Sequence, residues 1–194
     1  MKSLEKLWSI ANKEAEQTKR EFSLVFAPIG LMLFRPLNQK KYYESTPVNS
    51  LTFSQTGGDG VYFSLVLLDA KVSEDSPVVM TVPMNYGKVN LIVGENLFEF
   101  LCLGEQLGYF FLEQLVYNET ETIKWLSHPK EFINKEYGKN PSDSFPPESF
   151  REKERLLSIL RETFELKPWI NLKSRLDELQ NRFMDMLEFH TEVT

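Results

Sequence analysis

The sequence predicts an α+β protein: an antiparallel or mixed sheet with helices on one side, followed by a C-terminal helical hairpin. Three observations lead there. β-rich segments at close spacing fill residues 48–93, joined by turn residues. Amphipathic helical patterns flank that stretch on both sides. The segment Gly138–Pro147, with Asn140-Pro141 and Pro146-Pro147, separates the last two of those patterns from the rest. The expected organisation is an α+β domain over 1–137, a linker over 138–147, and a helical hairpin over 148–194 packed on the main domain.

Each element has a local reason. From Leu4 to about Arg20, Leu4, Leu7, Trp8, Ala11 and Ala15 fall on one helical face, with Ser3 the expected N-cap. Phe22–Phe34 is apolar and bent at Pro28-Ile29-Gly30, which reads as two short extended pieces, and Pro36–Pro47 reads as loop. Val48–Thr56 and Val61–Leu68 are strands joined by Gly57-Gly58-Asp59-Gly60, where glycines supply positive φ. Asp69–Pro77 is a turn region, Val78–Val82 a strand, and Leu91–Val93 a further short strand. Asn96 followed by Glu99 resembles a capping box opening a helix that Gly104 ends or interrupts. Tyr109–Val116 is expected to be helical with Phe110, Phe111 and Leu115 in the core, and Thr120–Leu126 to be a short helix. In the hairpin, Leu156, Leu157, Leu160 and Phe164 mark Glu148–Leu166. Leu172, Leu176, Leu179, Phe183 and Met186 or Leu187 mark Leu172–Phe189, with Pro168 at the turn between.

Composition excludes several classes. At 194 residues with 42% hydrophobic and 26% charged residues, the chain has enough apolar surface for one sizeable core. A net charge of −6 argues against nucleic-acid binding, which needs a surplus of Lys and Arg on one face. No run approaches the roughly 20 apolar residues of a membrane span. The single Cys102 and the charged start Met1-Lys2-Ser3-Leu4-Glu5-Lys6 point to a reducing, cytoplasmic setting.

Signs of chemistry are few. No lysine follows Gly60 as a phosphate loop would need, and the residues after the glycines are strand-like, so no helix N-terminus faces a pyrophosphate. His128 and His190 have no second His or Cys at ligand spacing, and no Gly-x-Ser-x-Gly elbow is present. Cys102 lies in the apolar run Phe100-Leu101-Cys102-Leu103, the setting of a buried structural thiol. Carboxylates are plentiful (Asp59, Glu95, Glu99, Glu105, Glu113), and none is singled out by pattern. The expectation is a non-enzymatic protein with no metal or cofactor.

The order of motifs from Val48 to Leu115, about a third of the chain, resembles the SUKH superfamily of bacterial immunity proteins and fungal cell-wall regulators. It runs Phe53-Ser54-Gln55-Thr56-Gly57-Gly58-Asp59-Gly60-Val61-Tyr62-Phe63, then Pro77-Val78-Val79-Met80, then Glu95-Asn96-Leu97-Phe98-Glu99-Phe100-Leu101. Two features depart from the family pattern: Ser23–Phe34 is β-rich where a Leu-Pro turn and short helix are usual, and the C-terminal hairpin is extra. The resemblance implies a sheet with helices on one side and binding in place of catalysis. It implies a protein partner such as a basic toxin, which the charge of −6 would steer. Asp59, Tyr62, Tyr86 and Glu95 are the expected partner-binding residues. The alternatives are a small-ligand binder or enzyme with a pocket beside the glycine turn, and a regulatory scaffold that self-associates through the hairpin.

Overall fold

The computed structural model describes residues 1–38, 43–137 and 147–189. The α+β class, the antiparallel sheet and a helical C-terminal part are all present. α1 spans Lys2–Thr18, and two 3-10 turns, Phe22–Leu24 and Ala27–Ile29, lead into the sheet. The strands are β1 (Met32–Asn38), β2 (Ser50–Gln55), β3 (Tyr62–Val66), β4 (Val78–Thr81) and β5 (Asn90–Gly94). They form an antiparallel meander in the order β1-β2-β3-β4-β5. α2 (Leu97–Gly104), a 3-10 turn (Phe110–Glu113), α3 (Gln114–Tyr117), α4 (Glu119–Ser127) and α5 (Pro129–Tyr137) follow, and then α6 (Pro147–Phe164) and α7 (Leu172–Phe183). The expected linker falls almost wholly on residues 138–146, outside the described residues, as does His190.

One face of the sheet carries the main core. Leu33, Phe53, Phe63, Leu65, Val78, Met80, Leu91 and Val93 pack with Leu4, Leu7 and Ala11 of α1, Phe100 of α2, and Leu156, Leu157 and Leu160 of α6. The Phe100 ring is the hub, with centroids 5.5 Å from Phe53, 4.8 Å from Phe63 and 5.0 Å from Tyr109. Tyr109 is buried and donates its hydroxyl to Leu101 O at 2.9 Å.

The other face is divided by chemistry. Val66, Val79 and Ile92 lie under Leu179, Phe183 and Leu187. The remainder is hydroxyl-rich and also buried: Thr52 and Ser64 are 2.9 Å apart, Thr81 donates to Asn90 at 2.8 Å, and Asn90 donates to Ser45 O at 2.9 Å. Period-two alternation explains both halves, since one register position exchanges the faces of every strand residue.

The two C-terminal helices turn back through 165–171, and the second crosses the β5 edge. α6 lies beside α1, with Arg155 2.7 Å from Glu14 and Lys6 donating to Thr163 O at 2.6 Å. α7 starts in the main core with Leu172 and Leu176 and ends on the opposite face. Gln180 takes the place of a sixth strand: its Oε1 accepts from Ile92 N at 2.9 Å, and its Nε2 donates to Ile92 O at 2.8 Å. The exposed edge is thereby satisfied and blunted.

Four local expectations are corrected. Ser3 lies inside α1, which Met1 precedes as N-cap, and its hydroxyl donates to Glu74 at 2.6 Å. Phe22–Ile29 forms 3-10 turns where extended pieces were expected, because Pro28 and the positive φ of Gly30 (79°) favour a turn. Tyr109–Val116 is a 3-10 turn and a single α-turn, and Phe110 is 47% exposed instead of entering the core. At α2, Asn96 accepts from Glu99 N at 2.9 Å as a cap should, but the Glu99 carboxylate bonds Glu95 N in place of Asn96 N.

Candidate functional site

The meander brings three segments to one end of the sheet: the β2–β3 turn, the β4–β5 loop, and the stretch Phe110–Tyr117. In the turn, Gly57 (φ 86°), Asp59 (φ 46°) and Gly60 (φ 72°) adopt left-handed backbone. Glycine does so without steric cost and aspartate with little. Thr56 N donates to Val61 O at 3.0 Å and Val61 N to Gly58 O at 3.1 Å, closing the turn. Tyr62 opens β3 directly after it, so the turn is a structural corner with no helix to receive a phosphate.

Neighbouring side chains pack on the glycines. A Cβ added at Gly57 would meet the Met32 sulfur, one at Gly58 would lie 3.0 Å from the Phe110 ring, and one at Gly60 would lie 2.9 Å from the Tyr43 hydroxyl. That packing counts against a ligand pocket at the glycines themselves. The β4–β5 loop is tied to the same end, with Asn85 Nδ2 donating to Lys88 O at 3.1 Å and to Val116 O at 3.3 Å.

What this end presents is a rim of half-exposed or exposed apolar groups around carboxylates. Tyr86 and Met84 stand out from the β4–β5 loop, and Phe110 and Tyr117 are about half exposed. Asp59 is exposed on the glycine turn, near enough for its charge to act on Tyr117. Glu113 lies beneath, 6% exposed. Burial pushes the Glu113 carboxyl above its ordinary range, and the Asp59 charge adds to that rise. Slight desolvation raises the Tyr117 phenol too, reinforced by the charges of Glu113 and Asp59.

The four expected contact residues do not converge. Asp59 and Tyr86 are on the rim. Tyr62 is 1% exposed, on the polar face of the sheet, with its hydroxyl 2.5 Å from Thr46 Oγ1. Burial raises its phenol pKa. Glu95 is at the opposite end of the sheet and is engaged internally. It pairs with Arg175 and lies 2.7 Å from Arg182, while Arg175 also bonds Glu99 at 2.7 Å. Those contacts hold Glu95 below the usual carboxylate range, with the Arg175 hydrogen bond the largest cause. They make it a clamp between α2 and α7.

Sequence reasoning passed over the roles of Phe110, Glu113 and Tyr117. Their spacing of three and four residues puts them on one helical stripe. That signal reads equally well as a core face, which is why Phe110 was expected inside.

Elsewhere, a cleft of about 450 Å³ runs between α2 and the α6–α7 connection, lined by residues that include Phe98, Cys102, Lys167 and Trp169. Cys102 is 6% exposed, and burial pushes its thiol up, with Glu105 and Glu99 adding to the rise. The thiol stays protonated and is a poor nucleophile. Among the described residues no group of three or more His, Cys, Asp or Glu side chains could hold a metal ion, and no helix is long and apolar enough to cross a membrane.

In comparison with known proteins, no family model, no curated protein and no solved structure matches this chain.

Proposed function

We propose that this chain is a non-catalytic protein-binding module that engages its partner through the glycine-turn end of the sheet. One observation carries the reading: Met84, Tyr86, Phe110 and Tyr117, exposed by between 47% and 102%, stand on the segments that meet at the glycine-turn end, where Asp59 is exposed too. Aromatics ringed by polar groups are the composition of interface centres, and large exposed apolar groups on a monomer mark such sites. The partner we assign is a basic protein, in the manner of a toxin neutralised by a SUKH-type immunity protein. The motif order around the turn and the net charge of −6 support that assignment. A cytoplasmic setting fits a lone, buried Cys102.

Co-expression with the products of the neighbouring genes tests the reading. A basic toxin should co-purify with the wild type, and Tyr86→Ala, which removes a wholly exposed ring, should weaken capture about tenfold or more. If no neighbour encodes a toxin and no basic protein is captured, or if Tyr86→Ala together with Tyr117→Ala leaves capture unchanged, the proposal fails.

A further inference from the structure

Among the described residues three glutamates are buried: Glu14, Glu105 and Glu113. Glu14 has Arg155 at 2.7 Å, and Glu105 has Arg161 at 3.7 Å. Among the described residues Glu113 has no cation. Its Oε2 makes no hydrogen bond, and its Oε1 has a single long contact, 3.3 Å from Gln114 Nε2. A buried carboxylate without a countercharge is costly to hold ionised, so it stays neutral or acquires a cation from outside. Asp59, exposed on the adjoining turn, also lacks an ion-pair partner among the described residues.

The 3-10 turn and α3 place Phe110 and Tyr117 three residues before and four residues after Glu113, on one stripe. Phe110 packs on Gly58, next to Asp59. Both rings are about half exposed, and the charges of Glu113 and Asp59 act on Tyr117, so the two carboxylates and the two rings are neighbours.

We propose that this slot, formed by Glu113, Asp59, Phe110 and Tyr117, receives an arginine side chain of the protein partner. The site stands on these contacts, and only the source of the arginine rests on the protein-binding reading above. A guanidinium suits it better than an ammonium, because its plane stacks on aromatic faces while its five donors reach two carboxylates. Rotation of the half-exposed Tyr117 ring admits it, a side-chain change of the kind common when interfaces form. The three other residues keep their positions on the turn and helix.

The test is an NMR titration of the full chain with N-acetyl-arginine amide, with its neutral citrulline analogue and with calcium chloride. Arginine should give saturable shifts confined to residues 56–61 and 110–117, and citrulline should give none. Glu113→Gln should weaken the response about tenfold or more, the loss expected when a charge-assisted contact becomes neutral. Asp59→Asn, at a position where asparagine accepts the same backbone, should weaken it less and serves if Glu113→Gln disturbs the fold. No localised response to arginine, an equal response to citrulline, an unchanged response in both variants, or a response to calcium in place of arginine would each overturn the proposal. A basic partner captured equally well by both variants would overturn the slot while leaving the protein-binding reading intact.

Discussion

Gly30→Ala should destabilise the protein and unseat the exposed rim at the glycine-turn end together. Gly30 closes a 3-10 turn at φ 79°, donating its N–H to Ala27 O at 2.9 Å. A Cβ there would lie 2.3 Å from Phe110 N and 2.9 Å from Phe110 Cα. Those are backbone atoms, which cannot rotate away. Beside them Tyr109 N donates to Ile29 O at 2.7 Å, the bond that ties the Phe110–Tyr117 stretch to the start of the sheet. The left-handed conformation costs alanine about 1–2 kcal/mol. Forcing the two segments apart adds about 1–3 kcal/mol, as overpacking does. The expected loss is about 3–4 kcal/mol, or on the order of 10 °C in Tm for a chain of this size. Urea denaturation followed by circular dichroism measures it, with the slope m checking that the unfolded reference is unchanged. Gly87→Ala is the control: its nearest neighbour would be Asn85 Oδ1 at 3.8 Å, and it should stay within about 0.5 kcal/mol of wild type. A Gly30→Ala protein within about 1 kcal/mol of wild type, or a Gly87→Ala protein equally damaged, would refute this account of how the rim is anchored.

Phe100→Ala should cost about 3–5 kcal/mol, because a fully buried ring touching three others leaves a cavity. Phe98→Ala, at a ring 44% exposed, should cost under about 1 kcal/mol by the same urea assay. Glu113→Gln should gain stability over wild type as pH rises. The folded carboxyl binds its proton more tightly than the unfolded one, so its contribution is full below about pH 4.3 and is lost as pH climbs through the raised folded value. Urea midpoints at about pH 4 and about pH 8 check this, and a difference independent of pH would contradict it. Cys102 should react with iodoacetamide far more slowly in the native protein than in urea, since burial both shields the thiol and keeps it protonated. Rapid native alkylation would show that the cleft beside it is open to a reactive thiolate.

Much of this architecture was legible in the chain because it is locally encoded. Leu4, Leu7 and Ala11 repeat at helical spacing, and all three are buried. Gly57, Asp59 and Gly60 are residue types that accept left-handed backbone, and they make the corner between β2 and β3. Cys102 sits in an apolar run and is buried. Local patterns specify whether a residue lies on an apolar or polar face of its own element, and they specify turn chemistry.

Tertiary structure decided which face meets solvent and which charges meet each other. Tyr62 and Tyr86 are the same residue type, yet one is sealed on the polar side of the sheet and the other stands free in a loop. Glu95 and Glu113 are both carboxylates near helix starts or turns. Glu95 received two arginines from α7, some eighty residues away in sequence, and Glu113 received none from the described residues. The difference depends on where α7 crosses the β5 edge. Nothing in the pattern around either glutamate encodes that crossing, because burial and ion pairing are properties of the space between elements. The sequence determined the glycine corner and the strands on either side of it. Only the tertiary structure buried the Glu113 carboxylate near that corner with no cation for it among the described residues.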